Sequence, residues 1–400
     1  MSVEEEPRAY PFGAPDRLEL GDTYGWLREN EPLARIRMPY GEPAWLVTRY
    51  DDVRAVFGDS RFSRAVAVTR DAPRMYPEPV PGGITDLDPP EHTRLRRLVG
   101  TAFTARRVEL LRPRAEQIAE DLLDRMVAQG PPADLVESYA VPLPAVMICE
   151  LLGVPYEDRE TFQSWADSYM TTTAIPLDEK MERLGKLGAY LAQLAAQRRE
   201  SPTDDLIGAL VQARDEQDSL SEEELIGFLM TLLAAGYETT ASQIANFGYA
   251  LLTHLDQLAL LRDGRVPVAD AVEELLRHVP VTAIGSTFIP RYATEDLNLG
   301  GGTVRANEPV FPAYYAANRD PRVFEDPERL DLTRPPRPHF AFGHGSHFCI
   351  GAPLARMELQ VALAALLRRL PNLQLATSDD LLSWKTGMVI RGPVALPVTW

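Results

Sequence analysis

The chain has 400 residues, 45% of them hydrophobic and 25% charged, with a formal net charge of -17 at pH 7. That length and apolar content suffice for a large buried core, and the acidic excess disfavours a general nucleic-acid surface, so no nucleic-acid partner is expected. The most apolar helical stretch, LIGFLMTLLAAGY at 225–237, is cut short by Glu238, so no membrane span is expected. The N-terminal MSVEEEPRAY carries neither a basic nor an apolar targeting segment, and a cytoplasmic location follows as the expectation. Two cysteines, Cys149 and Cys349, with no secretion signal, are read as reduced.

In chain order, PAWLVT at 43–48 reads as a strand, followed by a helix beginning near Asp51. Residues 72–91 hold six prolines and two adjacent glycines, which predicts a long loop. Between 92 and 107, Arg94, Arg96, Arg97, Arg106 and Arg107 crowd together, either as a solvated helix face or as a docking patch for an acidic protein. AEQIAEDLLDRMVAQ, AVMICELLGV, MERLGKLGAYLAQLAAQRRE and DDLIGALVQARDE repeat apolar residues at spacings of three and four, which predicts helices through about residue 257. SLSEEELIGFLMTLLAAG predicts a further helix capped at Ser219, with acids in its first turn. That helix is expected to run over 222–252; two more are expected over 268–278 and 352–370, and short strands over 283–311 and 387–399. The fold class expected is mainly α with a smaller β part drawn from 30–65, 283–311 and 380–400, all in one compact domain spanning 1–400.

Residues 339–359 read HFAFGHGSHFCIGAPLARMEL. Cys149 sits in an apolar helix and reads as packing. Cys349 differs, because Gly343, Gly345 and Gly351 let backbone fold closely around its sulfur, and the following helix adds positive potential from its N-terminus. A thiolate so held could be a nucleophile, a ligand in a shared metal site or the axial ligand of haem; spacing alone does not choose.

The stretch FAFGHGSHFCIG resembles the haem-binding signature of the cytochromes P-450, through Phe342, Gly343, Gly345, His347, Cys349 and Gly351. Three further segments resemble family motifs in the family's order. AAGYETT at 234–240 resembles the oxygen-side helix, EELLR the structural pair Glu274 and Arg277, and YAANRDPRVFEDPERLDLTR the meander, in which Arg319 is expected to join that pair.

The resemblance implies a triangular haem-binding domain, haem b (iron protoporphyrin IX) held through Cys349 as metal ligand, and dioxygen as co-substrate. It also implies cofactor contacts at His92, Arg96, Ala235, Gly236, Arg291, Phe342, His347 and Gly351. Glu238 and Thr239 become the expected proton-delivery and oxygen-stabilising residues, while Thr239 and Thr240 compete for backbone carbonyls and locally open the helix. Tyr237 stands where relatives commonly carry histidine or leucine, and is expected to pack away from the haem.

Substrate selection is expected from 72–85, 165–178, 281–288 and the central helix, with Thr231, Ala235, Ile284 and Thr287 in the pocket. Their small and apolar character suits a sizeable hydrophobic natural product of polyketide, macrolide or terpenoid type. The expected activity is hydroxylation. Epoxidation and oxidative C–C or C–O coupling are the alternatives within the class, and a non-catalytic haem-dependent sensor is the alternative outside it. No flavin or iron–sulfur region is recognisable, so NAD(P)H electrons are expected through an external ferredoxin and ferredoxin reductase.

Overall fold

The computed structural model describes residues 6–13, 16–77, 83–100, 103–155, 158–217 and 220–400. They form two compact units, Met1–Thr93 with Glu274–Cys349, and Arg94–Glu273 with Ile350–Trp400. Among them no helix is long and apolar enough to cross a membrane.

The first unit is built on a six-stranded sheet in the order Arg8–Ala9, Leu33–Arg37, Ala44–Val47, Pro309–Pro312, Arg291–Ala293, Phe62–Ser63. Leu33 faces Val47 and Ile36 faces Ala44 across an antiparallel pair, and Trp45 lies in parallel register with Val310. The helix near Asp51 runs Tyr50–Gly58 with Asp51 and Asp52 in its first turn, where acids favour the positive helix end. It buries Val53, Val56 and Phe57 in a core with Phe62, Tyr314 and Phe340. NLGGGT forms the turn of a hairpin between Leu297–Leu299 and Gly302–Val304. Residues 283–290, where strand was expected, are loop.

The second unit is helical. Ala105–Gln129, Pro142–Leu152, Leu177–Glu200 and Leu206–Gln217 follow the apolar periodicities of the sequence. Glu222–Thr253 spans 32 residues and is buried on nearly every side, as an all-round apolar helix must be. Each fully buried leucine along it, Leu225, Leu229 and Leu233, stabilises the fold by about 2 kcal/mol. Its cap is Ser221, not Ser219, which lies outside the described residues: the Ser221 hydroxyl accepts from the Glu224 N–H, and the Glu224 carboxylate accepts from the Ser221 N–H.

Ala352–Arg369 packs on Ala105–Gln129, with Arg369 Nη1 2.6 Å from Glu120. A small sheet orders Gln374–Leu375, Pro397–Thr399 and Ala133–Asp134. Residues 380–400 thus add a single strand to this separate sheet and none to the large one.

Candidate functional site

The cysteine loop belongs to the first unit. Gly343 and Gly345 adopt φ of 71° and 74°, in the left-handed region that favours glycine. A Cβ on Gly345 would also sit 2.3 Å from the Phe57 carbonyl oxygen, so this position excludes any side chain. The Gly343 N–H donates to the Phe340 carbonyl at 2.9 Å, the Phe348 N–H to Gly345 at 3.1 Å and the Cys349 N–H to Phe342 at 2.9 Å. The loop satisfies its own backbone and leaves Cys349 exposed, whereas Cys149 is buried. Phe342, half-buried, meets Phe348 edge-on at 6.3 Å, and Gly351 stands at the N-cap of Ala352–Arg369.

Beside that loop the first unit gathers cationic side chains. His92 is buried, and its ring centroid lies 4.0 Å from that of His347. Arg96, in the second unit, is half-buried on Glu91–Gly100. Arg291 is 3% exposed, lies over the Phe57 ring at 5.5 Å, and makes no hydrogen bond through Nε or Nη2 among the described residues.

Burial pulls the Arg291 guanidinium down to about 9; the charge of Arg64 adds to this and Asp88 opposes it. Arg64 is buried too and is pulled down to about 10 by the same desolvation. It donates to the Thr85 carbonyl at 3.0 Å, and Asp88 is engaged by the Arg64 and Ala65 N–H groups and the Ser63 hydroxyl. A buried cation with open donors calls for an anion. The carboxylates of haem propionates fit that requirement. Arg64 carries no sequence motif and was missed.

The second unit carries the other motif. Along Glu222–Thr253 most residues are buried, yet Gly227, Thr231 and Thr239 are only half-buried and Ala235 is exposed. Spacing of four keeps them on one face, an open stripe through an otherwise closed helix. Thr231 lies within it, its hydroxyl donating to Gly227 at 2.9 Å. Gly236 adjoins the stripe, and a Cβ there would lie 2.9 Å from Ile148 Cδ1.

The Thr239 hydroxyl donates to the Ala235 carbonyl at 2.7 Å and that of Thr240 to Gly236 at 3.4 Å, the expected competition for backbone acceptors. The expected local opening does not follow: the segment remains α-helical throughout, because each hydroxyl shares its carbonyl with the helix ladder rather than displacing it. Glu238 is 5% exposed and accepts from Lys385 Nζ at 2.6 Å, while Lys385 also reaches the Ser242 hydroxyl at 3.2 Å. Tyr237 is buried and its hydroxyl donates to Asp167. Neither Lys385 nor Asp167 was legible in the sequence.

The expected pocket residues fare unequally. Thr287 is half-buried, its hydroxyl turned to the Ile289 carbonyl at 3.0 Å. Ile284 corrects its assignment: it is core, packed with Tyr10, Tyr24 and Leu27. The Tyr10 and Tyr24 hydroxyls both donate to its carbonyl at 2.5 Å, which turns the residue inward. Part of the 72–85 segment, residues 78–82, lies outside the described residues. The 165–178 segment is tied to the C-terminal stretch, since the Thr172, Thr173 and Ala174 N–H groups all donate to the Gly387 carbonyl.

The structural trio also changes membership. Arg277 Nε and Nη2 donate to Glu274 at 2.7 and 2.8 Å. The further cation on Glu274 is Arg334, at 3.2 Å. Arg319 lies beside the pair, donating to the His278 carbonyl at 3.1 Å and to Glu328 at 2.6 Å, because its place in the turn after Tyr314–Ala317 aims it past Glu274.

A largely helical fold with an exposed glycine-loop cysteine, buried cations suited to propionates and an Ala-Gly-x-Glu-Thr helix defines a haem-thiolate oxygenase. The family model described as Cytochrome P450 matches residues 27–263 and 265–393. The chain belongs to the cytochrome P450 family and is a monooxygenase of that class.

It is 54% identical over 395 residues to mycinamicin IV hydroxylase/epoxidase of Micromonospora griseorubida, covering 99% of each chain. It is 49% identical over 397 residues to nocardicin C N-oxygenase of Nocardia uniformis subsp. tsuyamanensis, again covering 99% of each. Among solved structures, a crystal structure of HinD with NMFT and NO is 51% identical with a TM-score of 0.95, covering 99% of this chain and 100% of that one.

Proposed function

We propose that the protein hydroxylates a sizeable, largely hydrophobic natural product of macrolide or related polyketide type, as a cytoplasmic enzyme and a single catalytic domain. The observation carrying this reading is Cys349, an exposed thiol at the end of a self-satisfied glycine loop. The likeness to mycinamicin IV hydroxylase/epoxidase over the full chain supports the substrate class.

Cys349 would supply the thiolate that holds the haem iron. Arg291, Arg64, His92, His347 and Arg96 would hold the propionates, with Phe342 and Gly351 flanking the loop. Haem, when bound, would supply the activation of dioxygen, and a thiolate ligand would favour that chemistry.

The protein's own residues do the rest. Thr239 already spends its proton on the Ala235 carbonyl, so toward the open stripe it offers an acceptor oxygen and can hold a water there. Glu238 is the proposed proton-delivery group, its carboxylate held by Lys385. Ala235 and Gly236 leave room on the stripe, and Thr231 and Thr287 offer hydroxyls to orient polar substrate groups. Electrons are proposed to come from NAD(P)H through a ferredoxin and its reductase. The exposed Arg94, Arg97, Arg106 and Arg107 of the second unit supply complementary charge for an acidic donor.

The test is turnover of a macrolide panel that includes mycinamicin IV, with ferredoxin, reductase, NADPH and oxygen-18 gas. Labelled hydroxylated product is expected. Product lacking the label would indicate oxidative coupling, and binding without NADPH-dependent product would indicate a sensor.

A further inference from the structure

Gly387 carries two constraints that a passive loop residue would not need. Its φ of 65° lies in the left-handed region, and a Cβ there would sit 2.7 Å from both the Ala174 nitrogen and Thr173 Oγ1. Both follow from one contact. The Gly387 carbonyl receives three successive N–H groups, from Thr172 at 2.7 Å, Thr173 at 3.0 Å and Ala174 at 3.2 Å. A carbonyl oxygen has two lone pairs, so these three donors share one acceptor and let go of it together.

The chain is fixed on either side of this contact. Before it, the Tyr237 hydroxyl donates to Asp167, the Val389 N–H donates to the Met170 carbonyl at 2.7 Å, and Thr171 pairs with Met388. After it, the chain enters Leu177–Glu200, from which Lys180, 2% exposed, donates through Nζ back to the Thr171 carbonyl at 2.6 Å. Residues 171–180 are thereby closed into a ring. Between the fixed points Thr173 and Ala174 are exposed, and backbone bonds to Gly387 hold them down. A segment held by exposed backbone bonds, with little apolar surface buried, lies at the low end of local stability.

The stretch that receives these donors runs beside the open stripe of the long helix. Lys385, just before Gly387, reaches Glu238 at 2.6 Å and the Ser242 hydroxyl at 3.2 Å. Ser242 follows Ala235 by two helical turns, on the same face.

We propose that Thr172–Ala174 form a strap whose release from Gly387 admits substrate to the stripe, and that Gly387 and Lys180 are the positioning residues that set how often it stands open. The inference rests on the reading of Thr231, Ala235 and Thr239 as the substrate face. Closed, the strap passes small molecules only; open, it passes a macrolide-sized one.

Hydrogen exchange at residues 172–174 counts the openings. A bulky ligand that must wait for an opening binds at a rate proportional to the open fraction. Entry and exit use the same opening, so a looser strap speeds both and leaves the affinity in place.

The test pairs hydrogen exchange with stopped-flow binding to the haem-loaded protein. Clotrimazole is the bulky probe and imidazole the small one, each read in the Soret band. Lys180→Met removes one hydrogen bond at the root of the strap and should speed exchange at residues 172–174 about fivefold. Clotrimazole association and dissociation should each rise by about that factor, with Kd within about twofold of wild type and imidazole rates unchanged. Gly387→Ala, which displaces the shared acceptor, should raise exchange and clotrimazole rates further. Exchange in Ala105–Gln129 should stay at the wild-type rate in Lys180→Met, which separates a looser strap from a general loss of stability.

Faster strap exchange with an unchanged clotrimazole rate overturns the inference. So does an imidazole rate that rises by the same factor, a proportional rise in Ala105–Gln129, or strap exchange that neither variant alters. Should the macrolide panel give no product while clotrimazole entry still follows strap exchange, the substrate reading fails and the strap stands.

Discussion

Arg277 grips Glu274 through two hydrogen bonds, with the guanidinium 2% exposed and the carboxylate 3% exposed. At three residues' spacing such a pair on a helix surface contributes a few tenths of a kcal/mol. Here it is buried and extended by Arg334 and the Asp331 N–H, so removing one partner strands charge in the interior. Glu274→Ala should lower stability by about 3–5 kcal/mol. Chemical denaturation followed by circular dichroism measures this, and a loss under 1 kcal/mol would mean the site is better hydrated than its burial indicates.

Two glycines near the motifs should respond differently to alanine. Gly345→Ala must place a Cβ against the Phe57 carbonyl at a positive φ, where neither backbone can yield. Gly236→Ala meets only the tip of Ile148, a flexible side chain. The first variant should lose haem during purification and the second should retain it, as read from the ratio of Soret to protein absorbance.

Tyr10 and Tyr24 act on one carbonyl. Because both hydroxyls donate to Ile284, either tyrosine alone still satisfies it. Tyr10→Phe or Tyr24→Phe should each cost about 1 kcal/mol, and the double variant should cost more than the sum by roughly 0.5–1 kcal/mol. Denaturant midpoints for the four proteins close this cycle, and strict additivity would show that the two bonds are independent.

Asp167 predicts a pH signature. Its native pKa lies above the ordinary aspartate value, so between about pH 4 and 6 the folded chain binds more protons at this group than the unfolded chain does, and stability falls as pH rises through that window. Above it the contribution is constant. Asp167→Asn should remove this slope and stand about 1–2 kcal/mol better relative to wild type at pH 7.5 than at pH 4, a value reduced by partial solvation. Parallel slopes for the two proteins would contradict it.

What the sequence revealed followed from contacts made locally. The cysteine loop is legible because its glycines and aromatics stand at fixed offsets, and the helices because their apolar residues repeat. SLSEEE located the start of the long helix but not its cap, since Ser219 and Ser221 each have a glutamate three residues on. Partners distant in the chain stayed hidden. Lys385 lies 147 residues from Glu238, and the inward turn of Ile284 is fixed by Tyr10, 274 residues away. Arg64 gave no signal because its burial beside Arg291 is set by the fold, which no local pattern encodes. The helix opening expected at Thr239 and Thr240 failed because propensity alone does not overcome an intact ladder of hydrogen bonds.

The most direct measurement is the carbon-monoxide difference spectrum of reduced, haem-loaded protein, wild type against Cys349→Ser. Ligation by Cys349 requires the band characteristic of thiolate-bound haem in the wild type and its loss in the variant. A variant that keeps the thiolate band, or a wild type that loads haem without showing it, would contradict the assignment of Cys349.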